Sequence, residues 1–66
     1  MKNFRKIYMV EAITENGELL HRSYYSQKRD AERAERRAKK KTGARFSWVR
    51  LLGKREREYI DAADVH

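Results

Sequence analysis

Cysteine and proline are absent from this 66-residue chain, and glycine occurs only three times. Without cysteine there is no disulfide, no thiol nucleophile and no thiolate zinc site, and His21 and His66 are left as the usual soft-metal ligands. No metal and no cofactor is expected. Long hydrophobic runs are missing too. The longest, Ile7-Tyr8-Met9-Val10, falls far below the ~20 residues that cross a bilayer. No charged-then-apolar leader with a small-residue cleavage site opens the chain, so the expected compartment is the cytoplasm and no membrane partner is expected. A chain of this size hides only about 60% of the surface its unfolded form exposes. That leaves one small domain over residues 1–66 with little room for a deep substrate cleft, and an enzyme is not expected.

Charge and short apolar clusters are what the chain does have. Seventeen Lys and Arg stand against ten Asp and Glu, a formal charge of +7, and 41% of residues are charged. The 39% that are hydrophobic fall in ordered clusters, which argues for a folded domain rather than a disordered one. From Lys6 to Thr14 the run KIYMVEAIT is rich in β-branched and aromatic residues, and Asn16-Gly17 follows it with the chemistry of a tight hairpin turn. The returning run from Leu19 to Tyr25 places Leu19, His21, Ser23 and Tyr25 on one face and Leu20, Arg22 and Tyr24 on the other.

Ser26 is the expected N-cap of the next element, QKRDAERAERRAKKK, and Gly43 its stop. At ~100° per residue Ala31, Ala34 and Ala38 form a narrow apolar stripe, while Arg29, Arg33, Arg36 and Lys40 fall nearly opposite. Glu32 with Arg36 and Glu35 with Lys39 are expected as i,i+4 pairs of ~0.2–0.5 kcal/mol each. A third strand is expected from Arg45 to Leu52, ended by Gly53. The segment 54–66 is expected as a short fourth edge strand or a frayed tail, with a helical turn over Glu56–Ala63 as the alternative.

The order β-β-α-β predicts a small two-layer α+β domain: an antiparallel hairpin plus a third strand, with one basic helix packed on one face. The core region spans residues 5–53. Ile7, Met9, Ile13, Leu19, Phe46 and Trp48 are the expected core, because they share strand parity and carry most of the bulk. Burial of one such side chain is worth ~1.5–3 kcal/mol, so loss of Trp48 is expected to be serious. The other sheet face is then expected to expose Tyr8, Arg22, Tyr24 and Arg45.

The strongest functional signal runs from Lys28 to Lys41, where eight bases face three acids. Such a surface neutralises phosphates and releases condensed counterions. Candidate phosphate contacts are Arg29, Arg33, Arg36, Arg37, Lys39, Lys40 and Lys41, with Arg45 close by. Tyr8 and Tyr24, beside Arg22 and Arg45, are the candidate base-stacking residues. Splayed bases suit a flat aromatic sheet, so RNA is placed slightly ahead of DNA. The alternative is a small modulator that binds an acidic host-protein surface through its basic helix or a sheet edge. A monomer and a weak dimer are both open. His21 is expected to pack or hydrogen bond, and Glu11, Glu15, Glu56 and Glu58 are read as surface charges.

Within Leu20–Lys41, the run SYYSQKRDAERAERRAKKK is similar to the last strand and final helix of double-stranded-RNA-binding domains, where basic residues near the helix start grip phosphates. The match covers about a third of the chain. It lacks that family's first helix, and here a further strand follows the helix. The β-β-α-β order with Asp30-Ala31-Glu32-Arg33-Ala34 on the helix also looks like several very small phage-encoded proteins that bind and redirect host machinery, RNA-polymerase inhibitors among them. That resemblance is one of topology and size, so no residue is carried across and no family is assigned.

Overall fold

The computed structural model describes residues 4–66; residues 1–3 of the expected domain lie outside them. β1 (Tyr8–Ile13) and β2 (Leu19–Tyr25) form the hairpin, α1 (Lys28–Thr42) follows, and β3 (Phe46–Leu51) completes a three-stranded sheet in the order β2-β1-β3. Both outer strands are antiparallel to β1. They are therefore parallel to each other, and α1 is the crossover that carries the chain over β1. This is the α+β arrangement expected from the sequence.

The hairpin turn closes where the sequence places it. Gly17 sits at φ 85°, a conformation glycine reaches without a Cβ clash. Thr14 fixes the turn: its amide donates to the Glu18 carbonyl at 2.9 Å, and its hydroxyl accepts from Asn16 N at 3.2 Å and Glu18 N at 3.0 Å. A bulge between Ala12 and Ile13 pairs Ala12 with His21 but Ile13 with Leu19, leaving Leu20 unmatched. Leu19 is thereby moved opposite Ile13, away from the parity it shares with His21 in the linear pattern.

α1 packs on the face of the sheet formed by Val10 and Ala12. Both are fully buried, Val10 against Ala31 and Ala34, and Ala12 against Ala38 and Ala44. An alanine stripe brings the helix backbone close to the sheet, and only small side chains fit in the narrow space between. The expected core lies on the opposite face. Ile7 and Met9 are indeed buried there, but Ile13 is half-buried, and Leu19 (47%), Phe46 (50%) and Trp48 (37%) remain substantially exposed. The shared parity of the bulky residues is real, but the helix covers the other side.

The helix ends show one correction and one agreement. Gln27, not Ser26, is the N-cap, because the Ser26 amide and hydroxyl both donate to the His66 carbonyl, at 2.9 and 3.3 Å. Gly43 stops the helix at φ 70°, its amide donating to the Lys39 carbonyl at 3.0 Å.

Residues 54–66 are neither a fourth strand nor a frayed tail. α2 (Lys54–Glu58) begins directly after Gly53, and a 3-10 turn (Ala62–Asp64) leads to Val65, which makes a single parallel bridge with Tyr24. His66 N donates to the Tyr24 carbonyl at 2.9 Å. The segment thus passes from the end of β3 to the outer edge of β2. On the way Ile60 and Val65 join Phe4 and Tyr24 around buried Ile7, Met9 and Leu52. The tail supplies half of the cover that the helix does not give.

Candidate nucleic-acid interface

On α1 the alanines face the sheet, so Arg29, Arg33, Arg36 and Lys40 form the outer crest, all exposed. Arg37 and Lys41 lie on the flank of the helix toward β2, and Lys28 and Lys39 on the flank toward β3, by the same 100° spacing. The acids are drawn away from the crest. Glu35 accepts from the Ser47 hydroxyl of β3 at 2.9 Å. Glu32 and Glu35, with Lys28, line a shallow groove floored by Tyr8, Val49 and Leu51. Asp30 is 3.9 Å from Arg29, at the margin of ion pairing. The expected Glu32–Arg36 and Glu35–Lys39 pairs are not formed.

Among the described residues, no carboxylate pairs with Arg33, Arg36, Arg37, Lys39, Lys40, Lys41 or Arg45. Like charges three and four residues apart on a helix repel by ~0.2–0.5 kcal/mol per pair. Arg29–Arg33, Arg33–Arg36, Arg33–Arg37 and Arg36–Lys40 all have that spacing. The crest is therefore a line of cations in which Arg29 alone has an acid within ion-pairing distance among the described residues.

At the C-terminal end of α1 the chain turns sharply. Ala44 is buried, Arg45 N donates to the Ile13 carbonyl at 3.0 Å, and the Arg45 guanidinium carbon sits 6.0 Å from the centre of the Phe46 ring. Lys39, Lys40 and Lys41 end the helix beside this corner. The basic surface continues from the helix onto the start of β3.

The sheet face away from α1 has two halves. The half under the tail holds Met9 and Tyr24. The open half carries two cross-strand rows, Leu19-Ile13-Phe46 and Arg22-Glu11-Trp48. In the second row Arg22 donates to one Glu11 oxygen from Nε at 2.8 Å and from a terminal nitrogen at 2.6 Å, and the Trp48 indole N–H donates to the other at 3.3 Å. The indole therefore leans across β1. The Glu11 hydrogen bond holds the Arg22 guanidinium above its ordinary pKa. At the covered end Arg50 grips Glu56 through both terminal nitrogens, at 3.0 and 2.7 Å. That hydrogen bond, helped by one from Gly53 N, lowers Glu56 to about 2.

The two tyrosines expected to stack bases are not together. Tyr8 pairs with Tyr25 on the helix side of the sheet, half-buried against the Val10 cluster, whereas Tyr24 pairs with Met9 on the other side and is half-buried beneath the tail. Of the expected sheet-face group, Arg22 and Arg45 are exposed. The aromatics that stand free beside them are Phe46 and Trp48, assigned to the core from sequence. One signal marked this: Glu11 has the parity of Met9 and Ile13, and Arg50 that of Phe46 and Trp48, so the bulky face carries charge in mid-strand on β1 and β3.

His21 behaves as a strand histidine, its Nε2 lying 2.8 Å from the Ser23 hydroxyl. Among the described residues, no three His, Asp or Glu side chains gather as a metal site, and no helix is long and apolar enough to cross a membrane. No protein family, curated protein or solved structure matches the chain.

Proposed function

We propose that this protein is a non-enzymatic nucleic-acid-binding domain that holds phosphates on the outer face of α1. The observation that carries the proposal is the line Arg29, Arg33, Arg36 and Lys40, turned directly away from the alanine-packed face with the helix acids drawn to its flanks. Arg37, Lys39, Lys41 and Arg45 widen the strip. Fixed cations on a rigid element, repelling one another and, Arg29 beside Asp30 apart, lacking internal partners among the described residues, gain most from a polyanion, which releases condensed counterions when it binds. The cytoplasm is the compartment in which we place this activity.

Engagement of about 4–6 phosphates gives a slope of log K against log salt of roughly −3 to −5, shallower on single strands. Fluorescence anisotropy with a labelled oligonucleotide at several salt concentrations measures it. Arg33→Glu with Arg36→Glu should weaken binding by at least tenfold and flatten the slope, while circular dichroism stays that of the wild type. Unchanged affinity in a folded double variant would remove α1 from the site.

A second reading, a modulator that docks on an acidic host protein, draws on the outer edge of β3, which has no strand partner among the described residues, an edge suited to strand addition. Recovery of one stoichiometric protein partner after nuclease treatment, with no affinity for oligonucleotides, would favour it.

A further inference from the structure

We infer that the cationic crest of α1 and the open half of the sheet form one continuous track for a single strand of nucleic acid. The strand bends around the Gly43–Phe46 corner, and its bases stack on Phe46 and Trp48. This inference rests on the nucleic-acid reading above and names its substrate class.

The crest and the open face lie on opposite sides of a body whose smallest extent is 17 Å. One ligand reaches both only by turning a tight corner. Duplex DNA stays straight over a persistence length of ~150 base pairs and cannot follow that path. A single strand can, and it also presents unstacked bases. The corner is built to carry it. Lys39, Lys40 and Lys41 end the helix there, Arg45 is pinned through its amide to Ile13, and its guanidinium lies over Phe46. The backbone of a bound strand thus passes from lysine to lysine to Arg45, and the next groups met are two exposed aromatic rings two residues apart on one strand face.

On the open half Arg45 is exposed and has no carboxylate partner among the described residues, whereas Arg22 is paired with Glu11, which also accepts from the Trp48 indole. An incoming phosphate therefore meets Arg45, at the corner, as its free cation. The acids of the hairpin turn, Glu15 and Glu18, lie on the β1–β2 side of that end, whereas Arg45 and Phe46 lie on the β3 side. A second copy of the chain is a poor occupant. It would bring +7 against a chain that itself carries +7.

Trp48 is the sole tryptophan, so its fluorescence reports on this face alone. The full chain is titrated with an oligouridylate of about 12 nucleotides and with a DNA duplex of about 12 base pairs. The single strand should quench Trp48 and bind at least tenfold more tightly per phosphate, and the duplex should bind without quenching. Phe46→Ala should weaken the single strand by about tenfold and leave the duplex unchanged, whereas Arg33→Glu with Arg36→Glu weakens both. Equal affinity for the two ligands with Trp48 unquenched overturns the track while leaving phosphate binding by α1 in place. Failure to bind either ligand at low salt overturns both readings. Quenching by an acidic, aromatic-rich peptide but not by the oligouridylate would assign the open face to a protein.

Discussion

The two faces of the sheet are closed by opposite means. Directly beneath α1 the buried residues are small: Val10 and Ala12 meet Ala31, Ala34, Ala38 and Ala44, with burial complete or nearly so, and Tyr8, Tyr25 and Val49 pack half-buried around them. On the other face the side chains are large and burial is partial, with Ile7, Met9 and Leu52 shielded by the tail while Phe46 and Trp48 face outward. Size and burial have parted company. A close-packed helix leaves no volume for large residues between its axis and the sheet, so they stand at the margin of that layer, as Tyr8 and Tyr25 do, or on the face where the cover is loose.

Removing the loose cover should have the largest effect. Truncation after Gly53 strips Ile60 and Val65 from the Ile7-Met9-Leu52 cluster and frees the edge of β2 at Tyr24 and Ser26. Lost burial of this kind is worth ~3 kcal/mol or more, a large share of what so small a domain has to lose. Urea denaturation should show a truncated chain that is largely unfolded in buffer. A cooperative transition at the wild-type midpoint would mean that the tail is an appendage and the two faces are not both structural.

Next is a contrast across the sheet. Ala31→Leu adds volume where the helix touches β1 and should cost ~1–3 kcal/mol through overpacking. Trp48→Ala removes the largest side chain in the domain, yet it should cost only about 1 kcal/mol, because the ring is already 37% exposed. If chemical denaturation ranks them the other way, the bulky face is the true core and α1 is its loose partner. That outcome would restore the serious loss expected for Trp48 from sequence.

Much of this was legible in the residues and some was not, for physical reasons. Asn16-Gly17, the alanine stripe and the Gly43 stop are local signals, and each appears where expected, as does the crest of Arg29, Arg33, Arg36 and Lys40, which needs only helical spacing. Which face the helix covers is a long-range matter. Bulk pointed to the Met9 face, while the parity of Glu11 and the small size of Val10 and Ala12 pointed to the other, and the close approach of an alanine helix decides in favour of the small residues. Once the face changes, Tyr8 falls on the helix side and Phe46 and Trp48 become the exposed aromatics of the other face, where the tail covers Tyr24. The displacement of Ser26 from its capping role depends on the carbonyl of His66, forty residues along the chain. The segment 54–66 reads as an edge strand or frayed tail, with the helical turn over Glu56–Ala63 only as the alternative. Helical turns at Lys54–Glu58 and Ala62–Asp64 are what forms, and α2 is only five residues long, too short to stand without tertiary support.

That support has a pH signature, the smallest effect of the series and the most local. Arg50 and the Gly53 amide hold Glu56 at about 2, below its ordinary 4.5, so the native state binds this proton less readily than the unfolded chain. The contribution to stability is therefore complete above about 4.5 and lost progressively as the pH falls toward 2. The pair is solvent-exposed, so the change is modest and salt weakens it. Glu56→Gln removes the titrating group while leaving a side-chain oxygen for Gly53 N. The Tm difference between wild type and variant should be clearest near pH 6 and close up between pH 4.5 and 2, with the Gly53 amide resonance of the wild type titrating over the same range. Since α2 leads into the residues, Ile60 and Val65, that cover only the loosely closed face, the shifts should stay with Arg50, Gly53 and the Ile7-Met9-Leu52 cluster. Movement of Ala31 or Ala34 in step with Glu56 would show that the two faces are coupled as one unit rather than closed independently.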